Sequence, residues 1–323
     1  MKEHNHRVTV LMPAYNAGKY IAEAIESILH QSFTDFKLLI VNDGSTDNTE
    51  QIIHSFTDDR ILLINQAHKG IASALNKGLS KAESIYIARF DADDICFSAR
   101  LLQQVSFLDS HPDHIIVGCD AEYISENGEH LFHFKSIGHT HEQIIQKIYT
   151  YCPFIHSSVM YRKEPLLKAG GYSVHAHNFE DYLLWMQLIK YGEFYNLPEE
   201  LIKVRFNPAS VTIDERWRGR FFRTMKRDII KRGFITEEEG TDLLSIIKSQ
   251  DAANIKEGSY YALCGKKFLL DNHLPDKARH LFSKAIRSYP YRWDNYAFYI
   301  LSYFPMPFIN WLYQRKNHKI QQS

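Results

Sequence analysis

In the first 120 residues, segments with the hydrophobic pattern of a strand alternate with segments that have the pattern of a helix. Short apolar runs rich in β-branched residues are typical of buried strands, and apolar residues that recur every three or four positions are typical of amphipathic helices. This alternation predicts an α/β fold with a Rossmann-like, mostly parallel sheet flanked by helices. The predicted strands are 7–12, 36–41, 61–64, 85–90 and 115–119, and the predicted helices between them are 21–29, 47–56, 71–79 and 99–108.

The pattern changes in the second half of the chain. Residues 120–158 lack regular alternation, a helix is predicted over 179–191 and a strand over 201–206, and almost everything beyond residue 214 has helical spacing. We therefore predict a catalytic domain over residues 1–213 and a helical C-terminal region over 214–323.

Composition and charge exclude several classes of protein. The 323 residues include 38 Lys and Arg against 38 Asp and Glu, so no overall positive charge attracts nucleic acid. The four cysteines are far apart, which favours a reducing compartment over a disulfide framework, and residues 1–7 lack the apolar stretch of a secretory signal. These features predict a cytoplasmic protein.

Three carboxylates follow the predicted strand 85–90 directly, at Asp91, Asp93 and Asp94. In parallel sheets, ligands bind at the carboxyl ends of the strands. Clustered carboxylates repel each other unless a cation neutralises them, and their hard oxygens suit Mg²⁺ or Mn²⁺. The alternative is a solvated acidic turn that caps the next helix.

Two further acidic positions carry candidate chemistry. Asp43 follows the strand 36–41, where its carboxylate could accept a hydrogen bond from a uracil imide, although an Asp-Gly turn before a helix explains much of this segment. Glu180 and Asp181 open the helix 179–191, where the helix dipole favours acidic residues in any protein.

These segments occur together and in the order found in one family, and the chain resembles the family 2 glycosyltransferases with the type A nucleotide-sugar fold. The matching stretches are Val10–Asn16, His30–Phe33, Ile40–Asp47, Gly70 with Ala74–Leu79, Ala88–Asp94, His156–Met160 and Glu180–Asp181. The resemblance covers roughly residues 7–212 and implies an enzyme that moves a sugar from a nucleotide-sugar donor to an acceptor hydroxyl.

The resemblance also implies roles for single residues. Asp181 would be the catalytic base, and Asp93 would hold a divalent cation, Mn²⁺ or Mg²⁺. The reaction would invert the anomeric configuration, a UDP-sugar donor is favoured, and the acceptor would be a glycan or a lipid-linked molecule in bacterial surface-polysaccharide or glycolipid assembly. Residues His156 and Glu180 would lie near the acceptor or the donor sugar. The expected donor-binding residues are Pro13, Tyr15, Asn16, Asp43, Asn76, Arg89, Asp91 and Ala92.

The chain departs from the family pattern at Asn207. Many members carry a histidine at this place, which can complete the metal site, and asparagine binds a borderline metal less well than imidazole. We therefore leave this segment out of the predicted metal site.

Two segments suggest contact with a membrane. Residues 214–232 interleave arginine and lysine with aromatic residues, and 297–313 form an apolar stretch broken by Pro305 and Pro307. The prolines argue against a membrane span, so we predict peripheral contact with the inner face of the plasma membrane. A basic helix packed on the catalytic domain explains the first segment equally well.

Two other functions compete with sugar transfer. A dinucleotide-dependent oxidoreductase needs a glycine-rich first turn, but the turn here is Pro13–Gly18, and GxGxxG is missing from the sequence. A non-catalytic module that binds a nucleotide sugar would share the fold, although the acidic positions 91, 93 and 181 are all present.

Overall fold

The strands and helices follow the predicted alternation in the first half of the chain. The computed structural model describes residues 6–208, 219–249 and 253–321, with side chains up to residue 313. The strands are β1 Val8–Ala14, β2 Phe36–Asn42, β3 Ile61–Asn65, β4 Tyr86–Arg89, β5 Ile95–Cys96, β6 His114–Ile124, β7 His130–Phe134, β8 Met160–Arg162 and β9 Glu193–Arg205. The helices are α1 Ile21–Leu29, α2 Thr49–His54, α3 Ile71–Lys81, α4 Arg100–Ser110, α5 His141–Lys147, α6 Lys163–Lys168, α7 Glu180–Leu188, α8 Arg220–Arg232, α9 Glu237–Ser249, α10 Ala253–Leu270, α11 Pro275–Ser288, α12 Trp293–Leu301 and α13 Met306–Gln321.

All nine strands belong to one mixed sheet. The order is β3-β2-β1-β4-β8-β6-β9-β5, with β7 beside β6. Strands β1, β2, β3 and β4 pair in parallel, whereas β8 is antiparallel to both β4 and β6. The predicted α/β class is confirmed, and its parallel part is the half in which strands and helices alternate.

Burial explains why the parallel strands are continuous apolar runs. All seven residues of β1 are buried, because helices cover both faces of a parallel sheet. Helix α1 buries the positions that its periodicity marks, including Ile21, Ile25 and Ile28. Two antiparallel strands, β8 with three residues and β5 with two, gave a weak sequence signal because they are too short for a measurable period, and β9 begins eight residues before the predicted strand 201–206.

The described residues form two compact units, and each unit is assembled from three separate stretches of the sequence. The first unit contains Met1–Glu122, Phe134–Val204 and Arg220–Ser245, and the second contains Tyr123–His133, Arg205–Gly219 and Ile246–Ser323. The predicted boundary at residue 213 lies outside the described residues, as do residues 214–218 of the basic segment. Among the residues searched, no helix is both long and apolar enough to cross a bilayer.

Candidate active site

Two loops meet at the carboxyl ends of β1 and β2. The backbone amide of Thr46 donates to the Asn16 side chain (2.8 Å), and the Asn16 amide donates to Ser45 Oγ (3.0 Å). Asn16 has φ 49°, a left-handed conformation that asparagine tolerates better than most residues. The predicted donor residue Asn16 therefore ties the loop after β1 to the loop after β2.

Asp43 lies directly after β2 and is 3% exposed. Its carboxylate accepts hydrogen bonds from the backbone amides of Lys69 (2.9 Å) and Gly70 (2.8 Å). The Gln66 side-chain amide donates to Oδ1 (2.7 Å), and His68 Nδ1 lies 3.0 Å from Oδ2. These contacts use the accepting capacity of the carboxylate, so Asp43 holds the 66–70 loop against the end of β2.

An aromatic platform stands beside this loop. The rings of Tyr15 and His68 stack with centroids 4.0 Å apart, and both side chains are about half exposed. Gly44 has φ 72°, and a β-carbon there would lie 2.7 Å from the backbone nitrogen of His68. Only glycine therefore allows the loops to approach this closely.

The acidic cluster follows β4 at the same edge of the sheet. One carboxylate oxygen each from Asp91, Asp93 and Asp94 lies within 4.8 Å of the other two. Asp94 is buried, and the other two are partly exposed. Three hard oxygen donors this close together could hold a divalent cation. Ala92, between them, is 6% exposed, and Pro13 is buried within β1.

The side chain of Arg89 lies beneath the acidic cluster. Its guanidinium is 2% exposed and forms an ion pair with the Asp91 carboxylate. Burial favours the neutral form of Arg89, but the charge of Asp91 and its hydrogen bond outweigh burial and raise the pKa of Arg89. The backbone amide of Asp91 donates to Ser157 Oγ (3.0 Å). Arg89 and Ser157 therefore position Asp91 from two sides.

A second acidic pair opens α7. Burial and the charge of Asp181 raise the pKa of Glu180 to about 7. Burial also raises the pKa of Asp181, but the backbone amide of Tyr182 and the positive charges of Lys226 and Arg89 oppose that rise. The Tyr182 amide donates to Asp181 Oδ1 (2.7 Å). The two carboxyl groups therefore titrate as a coupled pair, in which burial raises both pKa values and the Tyr182 amide, Lys226 and Arg89 favour the ionised form of Asp181.

Helix α8 packs on α7 and brings Lys226 to this pair. Lys226 shares a helix face with the buried residue Phe222, four positions earlier. Its ammonium lies 5.5 Å from the ring centroid of Phe179, the residue that precedes Glu180. The sequence left open whether this segment contacts a membrane or packs on the catalytic domain, and it did not distinguish Lys226, which is half-buried while the other lysines and arginines of α8 are exposed.

Behind the pair lies a chain of buried polar rings. His156 Nε2 is 3.0 Å from the Tyr172 hydroxyl, which is 3.0 Å from the Tyr161 hydroxyl. Burial and the charge of Arg89 hold the pKa of His156 well below its usual value, so the imidazole is neutral at pH 7. Asn76 anchors Tyr172, in the loop before α7. Its side-chain nitrogen donates to the Tyr172 carbonyl (2.7 Å), and its side-chain oxygen accepts from the Tyr172 backbone amide (2.9 Å).

Arg100, a buried residue that the sequence analysis did not single out, supports the acidic cluster from α4. Its guanidinium is 0% exposed and donates to the backbone carbonyl oxygens of Arg89 (2.8 Å) and Val159 (3.3 Å). It thereby joins the end of β4 to the start of β8. The sequence indicates this role only by placing an arginine on the side of α4 that faces the core, where apolar residues are usual.

Comparison with solved structures supports the type A fold. S. aureus TarS, crystallised with UDP, aligns with a TM-score of 0.55 at 18% identity over 88% of this chain and 89% of that chain. The mannosyltransferase PcManGT from Pyrobaculum calidifontis, solved with GDP-Man and Mn²⁺, aligns with a TM-score of 0.54 at 18% identity over 93% of this chain and 86% of that chain. These alignments show the type A fold, with the acidic cluster at one edge of its sheet.

Sequence relatives narrow the class to one family. The model of glycosyl transferase family 2 matches residues 9–170. EpsE of Bacillus subtilis, whose name assigns it to the glycosyltransferases, is 38% identical over 206 residues, which are 62% of this chain and 73% of that protein. The O-antigen biosynthesis glycosyltransferase WbnJ of Escherichia coli is 31% identical over 63% of this chain and 81% of its own. The chain belongs to glycosyl transferase family 2, and the non-catalytic alternative is not favoured.

Proposed function

We propose that this glycosyltransferase moves a sugar from a UDP-sugar to an acceptor hydroxyl with inversion, in a reaction that depends on a divalent metal. The observation that carries the proposal is the pairing of two acidic sites, the cluster after β4 and the Glu180–Asp181 pair on α7. The relative WbnJ, named for O-antigen biosynthesis, favours a glycan or lipid-linked acceptor in polysaccharide or glycolipid assembly.

The acidic cluster serves the leaving group. Asp93 and Asp91 would hold a divalent cation, Mn²⁺ or Mg²⁺, which would supply positive charge to the diphosphate leaving group. Arg89 keeps the Asp91 carboxylate in place from below, so its contact with the donor is indirect. The exclusion of Asn207 from the metal site stays a prediction.

The loops after β1 and β2 bind the nucleotide. Tyr15 and its partner His68 offer an exposed ring face for the base. Asp43 and Asn16 act mainly by holding these loops together, because their side chains already bond the neighbouring loops. Asn76 has a similar positioning role for the loop before α7. A base contact by Asp43 would require one of its present donors to move.

Asp181 is the base of the transfer step. Its carboxylate takes the proton of the acceptor hydroxyl while the acceptor oxygen bonds to the anomeric carbon and the bond from that carbon to the diphosphate breaks. One displacement of this kind inverts the configuration, as a single displacement does in glycoside hydrolysis. Glu180 and the neutral His156 line this site.

The proposed donor and metal are tested together by calorimetric titration of the purified chain with UDP, GDP and dTDP, each with and without Mn²⁺. We expect UDP to bind and Mn²⁺ to tighten its binding, because the three carboxylates favour a cation-bound diphosphate. Preference for GDP would reject the UDP-sugar assignment, and binding that ignores Mn²⁺ would reject the metal.

Lys226 gives a second prediction, on pH dependence. Four charged or titratable groups interact electrostatically with Asp181: Glu180 on the same helix, and Arg89, Tyr172 and Lys226 from elsewhere in the first unit. Transfer needs Asp181 ionised, so kcat/KM falls as the pH drops through its pKa. Lys226→Gln removes a cation that opposes the rise in that pKa, and we expect the acidic limb of the profile to move up by about half a pH unit to one unit.

Two variants make the Lys226 result specific. Lys226→Arg keeps the positive charge and should return the limb to its wild-type position. Lys231→Gln removes an exposed cation of the same helix and should leave the profile unchanged. An unshifted limb in Lys226→Gln would contradict the electrostatic role.

Membrane contact is proposed for one of the two predicted segments. Helix α8 directs Phe222, Ile229 and Ile230 into the first unit, and its exposed side is mostly cationic, with Phe221 the one large exposed apolar residue. An interfacial helix needs an apolar face to insert, so packing on the catalytic unit explains the described part of this segment better. The segment 297–313 keeps its proposed contact with the inner face of the membrane.

A further inference from the structure

The second unit exposes apolar side chains where a helix in water carries polar ones. Helix α12 turns Asn295 and the half-buried ring of Phe298 inward, and Ser302, directly after the helix, is also buried. Its opposite face should therefore be polar. Instead this face carries Trp293 and Ile300, which are 79% and 59% exposed. We define the aromatic ridge as the exposed residues Tyr291, Trp293, Tyr296, Ile300, Tyr303, Phe304, Phe308, Trp311, Leu312 and Tyr313.

Helix α11, in the same unit, provides an internal comparison. Its exposed positions are Asp276, His280, Lys284 and Arg287, the ordinary polar face of a helix in water. The ridge follows within a few residues and has eleven aromatic residues between positions 289 and 313, against 13% aromatic residues in the whole chain. The exposure is therefore particular to this segment.

Several ridge side chains contact one another or Arg279 and still remain exposed. The Arg279 guanidinium lies 3.8 Å from the ring centroid of Tyr303 and donates to the Ser302 carbonyl (2.8 Å). Phe308 stacks on Trp311 with ring centroids 6.0 Å apart and lies 5.3 Å from Phe304. The rings are arranged side by side, which leaves much of their surface in contact with water.

The sequence that carries the ridge has an excess of positive charge, although Arg279 pairs with Asp276 and Lys277 with Glu129. From residue 277 to residue 323 the chain contains eight lysines and arginines and one acidic residue, Asp294, although the whole chain is balanced. Asp294 is itself neutralised by Lys266 (3.0 Å) and Arg292 (2.6 Å). Like charges oppose self-association through this face, whereas anionic headgroups complement it.

We propose that the aromatic ridge docks this enzyme on the surface of an anionic phospholipid bilayer. Tyrosine and tryptophan favour the boundary between headgroups and acyl chains, because each ring is apolar with one polar group. Nearby cations such as Lys284 and Arg287 add attraction to the headgroups. The proposal specifies which residues make the expected peripheral contact and that the lipids they contact are anionic. It rests on the proposed function in one respect only, since docking would bring the enzyme close to a lipid-linked acceptor.

The test is co-sedimentation of the full-length chain with vesicles of phosphatidylcholine, alone or with phosphatidylglycerol. We expect tighter binding to the mixed vesicles and weakening by salt. Trp293→Ser combined with Ile300→Ser should weaken binding about tenfold or more, because two exposed apolar side chains are lost. Both positions face water, so the variant should keep the wild-type Tm.

A matched control removes two exposed aromatic side chains from the first unit. Tyr149→Ser with Tyr151→Ser changes residues that are each 53% exposed and should leave vesicle binding unchanged. Equal binding by the ridge variant and wild type, or no binding to phosphatidylglycerol vesicles, would overturn the proposal. So would a wild-type dimer in sedimentation velocity that the ridge variant converts to a monomer, since a second copy would then occupy the ridge. Vesicle binding needs no donor, so its failure is distinguishable from loss of transfer activity.

Discussion

Asp181→Asn is expected to lower kcat/KM for sugar transfer by about a thousandfold, the range of a lost general base. The amide keeps the size of the side chain and can still accept the hydrogen bond from the Tyr182 amide. It cannot take a proton from the acceptor hydroxyl. Binding of UDP with Mn²⁺ should stay within about twofold of wild type, because the acidic cluster is unchanged.

The neighbouring acid provides the control for this change. Glu180→Gln makes the same exchange of carboxyl for amide one residue earlier, at a group whose burial raises its pKa to about 7. If Asp181 is the base, Glu180→Gln should cost about tenfold or less. Steady-state rates of UDP release with a transferred sugar measure both variants. A larger loss in Glu180→Gln than in Asp181→Asn would reverse the two roles.

Asp93→Asn is expected to weaken Mn²⁺-dependent binding of UDP by about a hundredfold, because a neutral amide replaces a charged oxygen ligand. Asp91 and Asp94 remain, and Arg89 still holds Asp91, so the fold should survive. Binding of UDP in the absence of metal should change little. Calorimetric titration of UDP at fixed Mn²⁺ gives both numbers.

Asp59→Asn is the matched control for Asp93. It removes one carboxylate from an exposed position outside the cluster, so the net charge of the chain changes equally while the cluster stays intact. UDP binding should then follow wild type at every Mn²⁺ concentration. Asp93→Asn that retains full metal dependence would show that Asp93 is not a metal ligand.

The acidic residues of the site could be found from sequence because each follows a local signal. Asp91 and Asp93 come directly after a buried apolar run, and Asp181 comes at the start of a helical period. Their geometry could not be found in this way. The contacts that decide the role of Asp43 join it to residues 23 to 27 positions away, and Asn76 bonds a residue 96 positions away.

Lys226 is a second case in which the local sequence pattern does not reveal the role of a residue. Its helix has so many cations that the sequence pattern is that of a basic surface, and nothing local separates Lys226 from Arg223 or Arg227. Only the packing of α8 on α7 makes one of them half-buried and places it against Phe179. The division into units is similar, because the hairpin 123–133 joins the C-terminal helices through contacts that are distant in sequence.

The sequence by itself determined the α/β class, most of the parallel strands and their helices, the acidic positions and the family. These follow from periodicity and from motifs, which depend on neighbours a few residues apart. Tertiary structure alone decided which of those polar groups stay partly exposed and which are used to hold loops, and which helix faces are left to water. Such choices depend on burial and on partners far along the chain, and no local pattern of residues records them.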